Sequence, residues 1–347
     1  MPFATLFTNV AAKLFGAPAH AGAIEPELVE SMVEAVVDAV DPRLRTVSGY
    51  RGKLAPGIAG TITHLRSFVP DLPEPVALSR AAWGSDPLLN AIFATADDVP
   101  AVLGRSEEMR AFFEAEANAA VAEAHGLLGM LKVERNVLAP AMINGAVQQD
   151  VAQTTVSFSG HRLIAPAADY VACRREIGVR ILKRLAELAL ERITSAGARA
   201  VDLEQRKALL GARLRMLNLR RNGLETLAGD AHDDAAEIES IERDLKATVD
   251  DYVEAKTSIA TLATRLEHIN TIFNAPAQYV SLARIDLRLN RMGYKVAPGS
   301  NEPAADLALR ELSIGEGLQA IIVFVRCPRA ELPPKQSLLA RAAREML

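Results

Sequence analysis

The sequence predicts an α+β protein, predominantly α, in which a long antiparallel coiled-coil hairpin is inserted between the strands of an antiparallel sheet of about five strands. Three observations carry that expectation. Apolar residues recur at alternating steps of three and four from Ile238 to Phe273, β-branched residues crowd Val147 to Leu163, and after Pro276 the apolar period drops to two. A 3-4 spacing lays a stripe along one helix face, whereas a period of two sends alternate side chains to opposite faces of a strand.

With 347 residues, 50% of them apolar, and a formal net charge of −4, the chain is neither disordered nor fibrous, and it is long enough for one large domain or two ordinary ones. Only two cysteines occur, Cys173 and Cys327, in no metal-ligand spacing. That excludes a disulfide framework and points to a reducing compartment, the cytoplasm. No apolar run approaches the roughly 18 residues of a membrane span.

Residues 1–22 read as an amphipathic segment, with Phe3, Leu6, Phe7, Val10 and Leu14 on one face. Lys13 lies within the apolar stretch rather than ahead of it, which argues against a secretory signal. Such a helix docks on protein or, alternatively, holds the chain at a membrane surface through residues 3–15.

Residues 23–124 read as a helical region. Pro26 opens a helix in which Leu28, Met32, Val33, Val36 and Val40 share a stripe, and Asp41-Pro42 ends it. The next stretch carries Arg43, Arg45, Arg51, Lys53 and Arg66 without an acid, and these cations form an anion-binding candidate, chiefly Arg43, Arg45, Arg51 and Lys53. Pairing with the acidic helix before them needs fewer assumptions. Three prolines in Val69 to Pro75 mark a turn, Pro87 opens a short helix after Asp86, and Ser106 caps another expected to run to about Ala124. Trp83, the lone tryptophan, reads as core.

Residues 125–166 and 276–330 read as the sheet. Val147 to Leu163 is a strand, Leu127 to Leu138 is strand or helix, and Asn144-Gly145 supplies the turn between them. Past Pro276, Ala283, Ile285, Leu287 and Leu289 alternate with Arg284, Asp286, Arg288 and Asn290. Gly315-Glu316-Gly317 joins a further pair of strands, and Ile321 to Val325, apolar throughout, is expected to be central and covered. Residues 331–347 read as a short basic helix.

Between the strands, residues 167–275 form the hairpin. Ile238, Ile241, Leu245, Thr248, Tyr252, Ala255, Ile259, Leu262, Leu266, Ile269 and Phe273 sustain five heptads, and Leu203, Leu210, Leu214, Leu217 and Leu224 fit the same grid in the preceding arm. Asp234 and Glu237 have capping-box spacing at the tip, and Gly197 is expected to kink the first arm. Charge supports the pairing. Arg174 to Arg221 carries 13 Lys and Arg against 5 Asp and Glu, and Asn222 to Asn270 carries 4 against 12. A basic arm folded on an acidic one neutralises both and, without interleaved aromatic residues, disfavours nucleic acid as a partner.

Chemistry leaves few signals. The chain has no phosphate loop, dinucleotide fingerprint or zinc motif, its six histidines are scattered, and no cofactor is implied. The best catalytic constellation is Asp150, Ser159 and His161. Cys173, beside Arg174 and Arg175, could have a lowered pKa. The preferred reading is a non-enzymatic scaffold or adaptor that acts through the hairpin and self-association. The alternatives are a peripheral membrane protein, and an enzyme or anion-binding protein with its site between the N-terminal helices and the sheet.

Overall fold

A computed structural model describes residues 24–143, 146–221, 231–297, 299–300 and 302–334. The amphipathic segment at residues 1–22, the Asn144-Gly145 turn, Leu224 and residues 335–347 of the expected C-terminal helix lie outside them, and residues 331–334 are not α-helical. The described residues form two compact units, each assembled from separate stretches: those within 24–28, 62–182 and 276–334 build the sheet unit, and those within 29–61 and 183–275 build the helical unit. The architecture is α+β, as the sequence predicts, and among the described residues no helix is long and apolar enough to cross a membrane.

The sheet unit contains β1 (Val76–Ala77), α3 (Arg80–Trp83), α4 (Pro87–Ile92), α5 (Asp98–Arg105), α6 (Glu107–Glu114), β2 (Glu123–Ile143), β3 (Ala146–Ala167), α10 (Pro276–Tyr279), β4 (Val280–Leu289), β5 (Ala305–Ile314) and β6 (Leu318–Pro328). The strand order is β3-β2-β6-β5-β4, with β1 parallel to β6 and the other ladders antiparallel. Strands before and after the helical insertion therefore join one sheet. Ile321 to Val325 of β6 are all buried, in keeping with a covered central strand. On one face, Ile321, Val323 and Val325 pack with Leu128, Leu287, Leu307 and Leu309 against Leu89, Phe93, Leu103 and Met109 of the short helices. Trp83 packs against this core and its indole N–H donates to the Phe93 carbonyl at 2.9 Å.

α6 ends at Glu114, ten residues short of the expectation, although the alanine-rich run beyond it favours helix. Arg329 accounts for this: its guanidinium donates to the carbonyls of Phe113, Asn118 and Val121 at 2.6 to 3.0 Å, and past Glu114 the chain continues as a 3-10 turn, Glu116–Asn118, instead of α-helix. Tertiary bonding to a charged donor outweighs a propensity gain of a few tenths of a kcal/mol per residue.

The β2–β3 ladder resolves the strand-or-helix ambiguity at Leu127 to Leu138 in favour of strand, and it shifts register three times. Residues with positive φ fall in each shift: Asp150 (56°), Gly160 (66°) and Ala165 (54°). An extra residue in left-handed conformation is what a β-bulge inserts. Pro140 lies opposite the Asp150 bulge, where a strand residue lacking an N–H is best tolerated.

The two edges of the sheet are tied together. Lys295 bridges Leu289 of β4, Tyr294 bridges Thr155 of β3, and the Val156 N–H donates to the Gly293 carbonyl at 2.8 Å. The Asn290 side chain shapes this turn by accepting from the N–H groups of Met292 and Tyr294, both at 3.0 Å. Gly293 has φ +79°, and a Cβ there would lie 2.9 Å from the Val156 carbonyl oxygen. Gly293→Ala is expected to lower stability by about 2 kcal/mol or more. Gly60→Ala, a change into open space within a helix, is expected to be neutral or stabilising by up to about 1 kcal/mol. Thermal or urea unfolding of the two variants checks both.

Candidate functional site

The helical unit holds most of α1 (Pro26–Val40) and of α2 (Tyr50–Ser67), the greater part of α7 (Tyr170–Arg221), α8 (Ala231–Ile259) and α9 (Leu262–Phe273). Its distinctive feature is the pairing of α7 with α8. Leu217, Ile238 and Ile241 are buried together, and Leu210 and Leu214 pack against them. Across the arms Arg213 donates to Glu237, Arg199 lies 3.9 Å from Asp251, and the Lys207 ammonium sits 4.5 Å from the centre of the Tyr252 ring. Positions fall along one arm as they rise along the other, so the arms run antiparallel within a single chain.

Two expectations about this region need correction. Gly197 does not interrupt α7, which runs unbroken for 52 residues. One glycine costs a helix only about 1 kcal/mol, and a Cβ at this position would make ordinary contact with Ile259 at 3.6 Å. Asp234 does not cap α8, because the helix already covers Ala231.

The five-heptad grid is also divided. The helix stops at Ile259, and Thr261 starts α9 with a reciprocal cap in which its hydroxyl accepts from the Thr264 N–H and Thr264 accepts from the Thr261 N–H. A run of Thr, Ser and Ile has low helix propensity, and threonine hydroxyls compete for the backbone. Carbonyls freed at the end of α8 take side-chain donors from α9: His268 Nε2 bonds Ser258 at 3.0 Å and Arg265 bonds Ile259 at 3.4 Å. Ile238 and Ile241 of the seam are therefore buried in the hairpin, with Leu245, Tyr252 and Ile259 half-buried along α8. Leu266, Ile269 and Phe273 are buried on α9, with Leu262 half-buried at its start. The Phe273 carbonyl accepts from the Thr61 hydroxyl of α2 at 2.9 Å, and the Arg265 guanidinium bonds Asp41 at 3.0 Å.

The basic stretch is held by carboxylates. Glu34 accepts from Tyr50 at 2.6 Å, Arg51 at 2.8 Å and Arg45 at 3.0 Å; Arg45 also pairs with Asp38, and Arg43 pairs with Asp41. Burial pushes the Glu34 carboxyl up, but the three hydrogen bonds outweigh it and hold it below the usual range. Arg43, Arg45 and Arg51 thus already engage acids, while Lys53 is exposed.

Asp150, Ser159 and His161 are not brought together as a triad. Asp150 occupies its bulge, exposed, and eleven residues of strand separate it from His161, on the order of 30 Å. Ser159 is exposed. The Gly160 bulge turns His161 away, so that its ring stacks on Phe93 at 4.8 Å and Nε2 donates to the Ile92 carbonyl at 2.8 Å. Cys173 is buried, and burial pushes its thiol up to about 12 against the downward pull of Arg180 and Arg174. Neighbouring arginines do not make it a thiolate.

A further feature, apart from the seam, lies on the outside of α7. Leu209, Met216 and Leu219 are exposed and, with the half-buried Ala212, repeat at steps of three, four and three. The spacing is legible in the sequence, but Leu210 and Leu217 stand next to it and absorb the same signal. Compared with protein-family models, curated proteins and solved structures, the chain matches none of them.

Two measurements follow from this geometry. Cys173 is expected to resist iodoacetamide at pH 8 in the folded chain and to react once the chain is unfolded, as followed by mass spectrometry. Burial lowers the His161 pKa from 6.5, more than the Ile92 carbonyl raises it. The folded state therefore disfavours the charged ring, and this part of the stability is complete above about pH 6.5 and falls as the pH drops below it. His161→Gln is expected to flatten the decline in melting temperature between pH 7 and pH 5, leaving the losses below about pH 4.5 that come from carboxylates such as Glu34.

Proposed function

We propose that the chain is a non-enzymatic scaffold or adaptor that works through its helical hairpin as a coiled-coil device, binding a protein partner or further copies of itself. The observation that carries this reading is the intrachain pairing of α7 with α8, which fixes one face of each arm and leaves the outer faces to other molecules. A hairpin of this kind uses chain length for reach rather than to enclose a substrate. Pairing of the basic stretch with Glu34, Asp38 and Asp41, and the separation of Asp150 from His161, support a non-enzymatic role over the alternatives. Two buried cysteines without a bridge fit the cytoplasm.

Light scattering coupled to size-exclusion chromatography tests self-association. The full chain is expected to show a mass above that of one chain, rising with concentration, and a variant with residues 202–248 replaced by a short Gly-Ser turn is expected to be monomeric. A monomeric full chain from micromolar to near-millimolar concentration removes the self-association half of the reading.

A further inference from the structure

The outer face of α7 carries more exposed apolar surface than a solvated helix needs. Leu209 is 71% exposed, Met216 66% and Leu219 73%, and with Ala212 they form a second 3-4 stripe that contributes nothing to the pairing with α8. Large apolar side chains clustered in the open mark an interaction surface when they are contiguous.

Charge defines what fits. From Gln205 to Leu219 the helix carries Arg206, Lys207, Arg213 and Arg215 and no acid. On the heptad grid set by Leu209 and Ala212, Arg206 and Arg213 flank one side of the stripe and Arg215 the other. Arg213 already pairs with Glu237 and Lys207 covers Tyr252, whereas Arg206 and Arg215 are exposed and meet no carboxylate among the described residues. Packing this stripe on the same stripe of another copy would set arginines against arginines. The acidic arm of another copy offers little to the leucines, since Val253 is its one large exposed apolar residue among the described positions.

We propose that this face docks an amphipathic helix of a different protein, with Leu, Ile or Met at 3-4 spacing and Glu or Asp on both flanks, packed against α7 on the side away from α8. The inference rests on the adaptor half of the function proposed above and names the chemistry of its partner. Opposite charges at the flanks select such a helix over basic or neutral ones, and salt weakens the selection.

The test uses the full chain and a labelled 28-residue peptide with Leu at the seam and Glu at the flanks, alongside a peptide identical except for Lys at the flanks. Fluorescence anisotropy is expected to show binding of the acidic peptide, several-fold weaker at 0.5 M than at 0.1 M NaCl, and at least tenfold weaker binding of the basic one. Leu209→Glu combined with Met216→Glu is expected to abolish binding, and Arg206→Glu with Arg215→Glu to reverse the preference between peptides. Because these side chains lie in solvent, circular dichroism of the variants is expected to match the parent, and the reversed preference is a readout that misfolding does not produce. Equal affinity for the two peptides, or no binding of the acidic one, overturns the inference. Mass measured on the same samples separates this from the wider reading: an oligomer that ignores the acidic peptide leaves the scaffold standing and removes this face as its docking site.

Discussion

Covering β6 on both faces is the constraint on which the sheet unit depends. Five successive apolar residues, Ile321 to Val325, cannot alternate between core and water, so every neighbour has to supply either a ladder partner or a covering side chain. β2 lies along one side. The other side is shared, with β5 taking Leu318 to Ile322 and the two-residue β1 taking Val325 and Arg326. The brevity of β1 is therefore misleading, because it satisfies backbone groups of a buried strand that no other element reaches. Phe324, on the face away from the short helices, meets the edge of the Tyr170 ring at 5.0 Å, and burial pushes the Tyr170 hydroxyl up to about 12 while it donates to the Pro73 carbonyl.

In the helical unit the division of labour is different. Exposed ion pairs such as Arg213 with Glu237 add at most about 1 kcal/mol each, so the opposite charges of the two arms do not hold the hairpin together. Burial of Leu203, Leu217, Ile238 and Ile241 does that. The charges leave the basic arm neutralised against the acidic one, through pairs such as Arg213 with Glu237 and Arg199 with Asp251. Glu34 illustrates a denser version, where one carboxylate takes three donors and fixes the start of α2 relative to α1.

Elements with a strong period were legible in the sequence: the first helix to Val40, the strands after Pro276, the covered strand at Ile321 to Val325, and the opposed arms. What escaped was set by contacts distant in the chain or by local backbone geometry. Nothing near Glu114 announces that Arg329 will stop its helix. Thr261 and Thr264 fit a heptad grid as neutral spacers, yet their hydroxyls break it. Asp150, Ser159 and His161 have the residue types of a triad, but a strand holds Asp150 far from His161 whatever its register, and His161 is taken up by Phe93 and the Ile92 carbonyl. On α7 the seam and the exposed stripe lie one residue apart, and only burial distinguishes them.

The two units are interleaved along the chain, each built from stretches that the other interrupts. Hydrogen bonds such as Thr61 to Phe273 and Asp41 to Arg265 join residues more than 200 positions apart. During synthesis the first two helices are thus complete long before the segment that bonds them exists, and β2 and β3 likewise wait for β6. Closing such long loops costs only slowly growing entropy, so final stability is little affected by their length. The contacts between α7 and α8 join residues only a few tens of positions apart, and their pairing brings closer together two strands, β3 and β4, of a sheet to which the hairpin contributes no strand.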